Sequence, residues 1–234
     1  MASALAFTTG CDKNKGGGGG DDPDIPSGNG FVINAKVEDG NDYNDEIATV
    51  KAVMYNWDTE EEYSAASCKY ANGGFKLTLP ETVSAKYLHV IDEDFDDFEG
   101  TISDPQAKMG FVSIEAYDDD KEYIGSFVHG DFDKSIWVQY MYFDRDVTIN
   151  GYDNEFDDEY NCSFKKGWNI MYITYTDSDY GWLYSTKKPS GANPKWYFED
   201  DYDWKASPNN KAKHTRQTSD TYISHYEIKY IRAK

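Results

Sequence analysis

The sequence predicts an all-β fold, with one or two β-sandwich-like units after a disordered N-terminal tether. After residue 30, apolar and polar residues alternate, helical periodicity is almost absent, and clusters of Gly, Asn, Asp and Pro interrupt the alternation. Aromatic residues form 16% of the 234 residues, with 20 Tyr, 12 Phe and 6 Trp. Such side chains favour strands, and here they supply the burial that Leu usually supplies.

The first predicted unit spans residues 30–105. Its clearest strand runs from Phe75 to Leu79, where the apolar side chains point one way and Lys76 and Thr78 point the other. Acidic and glycine-rich turns separate the other runs of this unit. The strands expected here are 31–37, 47–57, 75–80 and 86–91.

The second predicted unit spans residues 106–234 and is richer in aromatic residues. Residues 199–220 are polar and indicate a loop, and loops of that length inside a compact domain are often functional. The last run, 222–232, alternates again and predicts a closing strand. The strands expected in this unit are 110–117, 122–128, 135–143, 146–150, 160–164, 170–176, 180–186, 195–198 and 222–232.

The charge of the chain is strongly acidic, with 23 Lys and Arg against 43 Asp and Glu and a net charge of −20. Nucleic acid is therefore excluded as a partner, because phosphate neutralisation needs a basic face. An anionic membrane surface would also repel the folded part. No segment approaches the ~20 apolar residues that a membrane-spanning helix requires.

The N-terminal region is arranged like a bacterial lipoprotein signal. A short apolar stretch ends in Thr9 and Gly10, small residues of the kind that a signal peptidase needs before a lipidated cysteine, and Cys11 follows. The glycine run 16–20 and the acidic residues after it have no use in packing, but they form a flexible spacer. This pattern predicts lipidation of Cys11.

We accordingly interpret residues 1–10 as a partial signal peptide and residues 11–29 as the flexible tether of a lipid-anchored outer-membrane protein exposed at the cell surface. Two features depart from the usual pattern: Thr8 stands where Leu is common, and no Lys or Arg precedes Cys11. The alternative is a cytosolic protein in which Cys11 is incidental.

Several stretches resemble recurrent motifs of uncharacterised Bacteroidota surface lipoproteins. They are 72–80, 117–120, 123–125, 166–169 and 195–198. The resemblance covers most of the chain after Cys11. It implies an all-β protein in the cell envelope and carries no activity. The first unit also loosely resembles transthyretin-like and immunoglobulin-like sandwiches, at the level of the fold alone.

Two acidic clusters, 92–97 and 153–159, are candidate calcium-binding loops, because calcium binds carboxylate-rich loops. The ligands predicted for such a site are Asp153, Glu155 and Asp157. The EF-hand pattern is absent, because its glycine position is occupied by Asp158 in the second cluster. The alternative is a pair of solvated loops.

Catalytic machinery is not visible in the sequence. The four histidines have no metal-binding spacing, and no Gly-x-Ser-x-Gly elbow occurs. Carboxylate pairs at glycosidase spacing would arise by chance among so many acids. We therefore expect a protein that is not an enzyme and uses no cofactor. Cys68 and Cys162 are expected to be separately buried thiols, with a disulfide as the alternative.

The tryptophans divide into two predicted groups. Trp137, Trp168 and Trp196 alternate with apolar residues and are expected in the core, whereas Trp182 and Trp204 have glycine or acids around them and are expected at the surface. If the protein binds a glycan, the predicted contacts are Trp182, Tyr184, Trp204 and either Asp201 or Asp203.

Two classes of function remain open from the sequence. The aromatic content and the tether favour a non-catalytic module at the cell surface that binds a glycan. The alternative is a structural or adhesive envelope protein that contacts other proteins through its sheet edges.

Overall fold

The computed structural model describes residues 30–56, 59, 61–91, 98–176 and 181–200. Within these ranges the chain forms β-strands and a few short 3-10 turns, and the predicted all-β fold is confirmed. No helix of the described residues is long and apolar enough to cross a membrane. The described strands belong to one compact unit.

The strands are β1 (Phe31–Lys36), β2 (Thr49–Asn56), β3 (Glu61–Lys69), β4 (Gly74–Leu79), β5 (His89–Val90), β6 (Phe98–Ile102), β7 (Lys108–Phe111), β8 (Ser113–Tyr117), β9 (Tyr123–Asp131), β10 (Ile136–Phe143), β11 (Val147–Asp153), β12 (Asp158–Phe164), β13 (Gly167–Tyr175), β14 (Trp182–Ser185) and β15 (Lys195–Asp200). The 3-10 turns are Gly40–Tyr43, Ala85–Tyr87 and Phe132–Lys134.

Two sheets contain these strands. β1 and β4 form an antiparallel pair, and the other strands form one sheet of 13. The main path of that sheet is β3-β2-β8-β9-β10-β13-β14-β12-β11-β6. Outside this path, β15 pairs with β9, β7 pairs with β10, and β5 pairs with β7. The β1–β4 pair covers one part of the large sheet, which makes this region a sandwich.

The buried side chains form two main cores. Core 1 lies between the β1–β4 pair and the large sheet, and it includes Leu77, Ile114, Phe127, Tyr142 and Trp196. Core 2 lies on the opposite face of the large sheet, among β7 and β10–β14, and it includes Phe143, Val147, Phe164, Met171 and Tyr184.

Strand β10 serves both cores because its successive side chains point to opposite faces. Tyr142 is 4% exposed in core 1, and its neighbour Phe143 is fully buried in core 2. β13 behaves in the same way, with Trp168 in core 1 and Met171 in core 2. The Trp168 indole Nε1 also donates a hydrogen bond to the Pro80 carbonyl at 2.7 Å. These two strands therefore hold the cores together.

Residue 105 lies in a turn between paired strands. β2 pairs with β8 and β6 pairs with β11, so strands from before and after this residue share one sheet. Core 1 likewise takes side chains from both segments. Segments 30–105 and 106–200 therefore do not have separate cores, in contrast to the two-unit division expected from the sequence.

Most of the expected strands within the described residues lie within two or three residues of their observed bounds, but β3 and β6 were not expected. The single strand expected at 110–117 is instead the two strands β7 and β8, and β15 extends to Asp200, into the loop expected at 199–220. The rest of that loop and the closing strand expected at 222–232 lie outside the described residues. The single strand expected at 86–91 is instead the turn Ala85–Tyr87 followed by the two-residue strand His89–Val90. Both of the cysteines in this unit are free thiols, as expected. Cys68 is half-buried, and burial raises the pKa of the Cys162 thiol to about 12.

Candidate functional site

One part of the large sheet has no covering layer among the described strands. On β9, Phe127 and His129 point toward core 1, and Ser126 and Val128 point the other way. The face that carries Ser126 and Val128 is covered by core 2 over β10 and β13. We call its remaining part, over β2, β8, β9 and β15, the open face.

Five partly buried aromatic rings lie in series where core 2 ends and the open face begins. We call this series the aromatic stripe, and in spatial order it consists of Tyr175, Trp182, Trp137, Phe132 and Tyr197. The ring centroids of neighbours are 5.2, 5.1, 6.1 and 4.9 Å apart in that order. All four contacts are edge-to-face or tilted, which is a favourable arrangement for aromatic pairs.

Strand pairing brings these rings together. Tyr175 and Trp182 are directly opposite each other on β13 and β14. Trp137 stands near the start of β10, opposite Gly130 of β9. The tight turn Phe132–Lys134 joins β9 to β10 and places Phe132 between Trp137 and Tyr197. The stripe therefore crosses several strands near their ends.

Gly181 fixes the position of Trp182. A Cβ atom added at Gly181 would lie 2.0 Å from the Asp157 carbonyl oxygen, so only glycine fits there. The Gly181 carbonyl accepts hydrogen bonds from the Thr176 backbone N–H at 3.1 Å and from the Thr176 hydroxyl at 3.0 Å. The start of β14 is thus held between two neighbouring segments.

The acidic turn 153–158 lies beside the stripe. The Trp182 backbone N–H donates to Asp158 Oδ1 at 3.3 Å, and that carboxylate is fully buried. Asp153 is 2% exposed, and its Oδ1 accepts from the Glu155 backbone N–H at 3.0 Å. The turn is therefore shaped by its own carboxylates, which support the strand that carries Trp182.

The predicted calcium ligands lie in this turn. The Asp153 carboxylate bonds its own turn, Glu155 is exposed, and Asp157 Oδ1 accepts from the Tyr152 hydroxyl at 2.8 Å. Among the described residues, no group of three or more His, Cys, Asp and Glu side chains is arranged to hold a metal ion. Calcium binding stays a prediction.

The predicted glycan-binding residues have different positions. Trp182 is partly buried and belongs to the stripe. Tyr184 is 2% exposed and stacks on Tyr160 in core 2, with centroids 4.5 Å apart, so its ring does not reach the surface. Asp201, Asp203 and Trp204 lie outside the described residues, and so does Cys11.

The tryptophans expected in the core are only partly there. Trp168 and Trp196 are each 6% exposed in core 1, as expected. Trp137 is only partly buried and packs against the edge of core 2, where it contacts Trp182. Sequence reasoning missed the other stripe residues because their proximity depends on strand pairing. The available signal was that each is a large aromatic residue near the end of a strand.

Comparison of the chain with protein-family models, curated proteins and solved structures finds no match.

Proposed function

We propose that this protein is a non-catalytic binding module whose aromatic stripe binds glycans. The observation that carries the proposal is the series of five partly exposed rings in contact at the edge of a sheet face that no described strand covers. Clustered aromatic side chains that remain partly exposed support a binding surface.

Sugar rings match such a surface. The C–H faces of a sugar stack on aromatic rings, and its hydroxyls bond to polar groups around them. Aromatic contacts contribute about 0.5–1.5 kcal/mol beyond burial in protein pairs, and we expect a similar range for each stacked sugar. The edge-to-face contact of Trp137 with Trp182 and its tilted contact with Phe132 hold the rings in place before binding, which lowers the entropy cost of association.

The charge of the chain narrows the class of glycan. A net charge of −20 repels polyanions such as uronic acid chains or sulfated glycans. The proposal is therefore a neutral glycan, bound and released without chemical change.

The cellular setting is part of the same proposal. A protein lipidated at Cys11 and held by a flexible tether would present this domain at the outer surface of the cell. Expression behind a complete lipoprotein signal tests this. The wild-type protein should fractionate with membranes, and Cys11→Ala should become soluble. A membrane-bound Cys11→Ala variant would contradict the anchor.

A glycan array probed with residues 24–234 tests the binding function. Neutral glycans should give signals that Trp182→Ala weakens. The matched control is Tyr63→Ala, because Tyr63 is also partly buried and stacks on Tyr87 at 4.7 Å, but it packs on the core 1 side of the sheet. A blank array for the wild-type protein would contradict the proposal.

A structural or adhesive role is the second candidate. β3 pairs only with β2 among the described strands, so its other edge presents backbone N–H and C=O groups that a strand of another protein can pair with. Cross-linking at Ser67 on this edge to an envelope protein, together with a blank glycan array, would favour this role.

A further inference from the structure

The open face carries a second group of side chains, away from the aromatic stripe. We call it the polar cluster, and it consists of Lys51, Tyr55, Glu115, Tyr117, Tyr123 and Ser126. The pairing of β2 with β8 and of β8 with β9 places these residues on the side of the sheet opposite core 1. No described strand covers them.

Glu115 is the centre of the polar cluster. Glu115 is only 4% exposed. One carboxylate oxygen accepts a hydrogen bond from the Tyr55 hydroxyl at 2.5 Å, and the other accepts one from the Tyr117 hydroxyl at 2.6 Å. Burying a carboxylate is costly unless it is well hydrogen-bonded. The hydrogen bonds of Glu115 do not contribute to the packing of core 1, because the residues of β8 that pack in core 1, such as Ile114, point to the other face of the sheet.

The two tyrosine hydroxyls are held in place by their hydrogen bonds to Glu115. Burial, and next the hydrogen bond to Glu115, raise the pKa of both phenols above their ordinary value, so both stay protonated at physiological pH. Each hydroxyl gives its single proton to Glu115. Its remaining lone pairs can accept a further hydrogen bond, and of the two residues Tyr55 is partly buried whereas Tyr117 is 9% exposed.

Donors and a stacking ring lie beside these acceptors. The Lys51 ammonium is 3.4 Å from the centroid of the Tyr117 ring, where it keeps N–H groups for a ligand. Tyr123 is 44% exposed, and its hydroxyl lies 3.0 Å from the Ser126 hydroxyl. Alternating donors and acceptors around an exposed ring match a sugar with its neighbouring hydroxyls.

The polar cluster and the stripe are on one surface. Ser126 pairs with Glu115 of β8 on one side and with Glu199 of β15 on the other. Neighbouring strands are about 4.8 Å apart, so β8 and β15 are about 10 Å apart. Tyr197, the end of the stripe, is also on β15 and on the same face, opposite Val128.

We infer that the polar cluster is a second subsite for the same ligand, which is therefore an extended neutral glycan chain rather than a single sugar. The inference rests on the proposed function. One end of the chain stacks on the stripe, and a sugar further along bonds to the polar cluster.

The test compares short and long probes. Disaccharides and hexasaccharides of neutral α-glucan, β-glucan, β-mannan and xylan are titrated by calorimetry into the full chain and into Tyr123→Ala. Tyr123 is outside both cores and 44% exposed, so the variant should fold, and a thermal melt verifies this. A second variant, Lys51→Gln, removes the charge and keeps the length of the side chain.

For the glycan class that the wild-type protein binds, we expect Tyr123→Ala to bind the hexasaccharide about three- to tenfold more weakly, the range that corresponds to one aromatic contact. The same variant should bind the disaccharide of that class with unchanged affinity. Equal affinity of the wild-type protein for both lengths, or an equal loss for both in the variants, would overturn the second subsite and leave the proposed function intact. If no neutral glycan bound the wild-type protein, the proposed function would fall and this inference with it.

Discussion

Trp137 and Trp182 meet edge to face, with ring centroids 5.1 Å apart and an interplanar angle of 70°. They belong to β10 and β14, which are separated by β13, so the two indoles reach toward each other across an intervening strand. This contact joins the Tyr175 end of the stripe to the Phe132 end. Each indole therefore helps to fix the orientation of the other.

A double-mutant cycle on this pair should show coupling. We expect Trp137→Leu and Trp182→Leu to lower the free energy of unfolding by amounts that do not add, with an interaction energy of about 0.5–1.5 kcal/mol. Urea unfolding of the wild-type protein, the two single variants and the double variant measures it. Trp137→Leu combined with Tyr63→Leu is the control and should be additive within about 0.5 kcal/mol. Additivity of the tryptophan pair would contradict the contact.

Gly181→Ala should be strongly destabilising. The new Cβ and the Asp157 carbonyl oxygen would be 2.0 Å apart, so β14 or the acidic turn must move. We expect a loss of about 3 kcal/mol in unfolding free energy, together with a change in tryptophan fluorescence, because Trp182 moves with the strand. Denaturant titration followed by fluorescence measures both effects.

Gly167→Ala provides the comparison for this variant. Gly167 has a φ of +100°, and an added Cβ there meets nothing within 4 Å, so its cost comes from backbone strain alone. That cost is about 1–2 kcal/mol. If Gly181→Ala proved to be the milder of the two, the close approach between Gly181 and the acidic turn would be wrong.

His129 should make stability depend on pH. Its ring stacks on Trp196 at 4.5 Å, and its Nδ1 lies 2.9 Å from the Tyr140 hydroxyl. Burial lowers its pKa from 6.5 to about 4, and the charge of Lys188 also lowers it, while a hydrogen bond to the Pro194 backbone raises it. Because the folded pKa is below the unfolded one, protonation favours the unfolded chain.

The contribution of neutral His129 to the free energy of unfolding is therefore fully present above pH 6.5, and it is lost as the pH falls from 6.5 toward 4. At about 1.4 kcal/mol per pKa unit, the loss reaches about 3 kcal/mol at most. Urea unfolding between pH 7.5 and pH 4 should show a steeper decline for the wild-type protein than for His129→Gln. Parallel curves would show that the imidazole does not titrate in this way.

The sequence predicted the strands that alternate regularly and missed those in which the alternation is broken. In β3, Ala65 and Ala66 are neighbours, yet both pack against core 1. The irregular pairing between β2 and β3 explains this, because a bulge inserts one residue and puts two successive side chains on one side. A bulge depends on the partner strand, so the pattern of β3 alone could not reveal it.

The candidate site was predictable only at Trp182. That residue and Tyr184 point to the same face of β14, and the sequence therefore treats them alike. They differ in depth, because the parallel pairing of β12 with β14 places Tyr184 beside Tyr160 inside core 2. The contacts of Trp137 and Phe132 with the other rings of the stripe likewise depend on the order of strands in the sheet, and no local sequence pattern encodes that order.

Calorimetric titration of the strongest neutral glycan from the array into the wild-type protein, Trp182→Ala and Tyr63→Ala tests the central claim most directly. We predict that Trp182→Ala weakens binding by about tenfold, the upper range for one aromatic contact, and that Tyr63→Ala binds like the wild-type protein. Undiminished affinity in Trp182→Ala, with the variant folded by circular dichroism, would show that the aromatic stripe is not the binding surface.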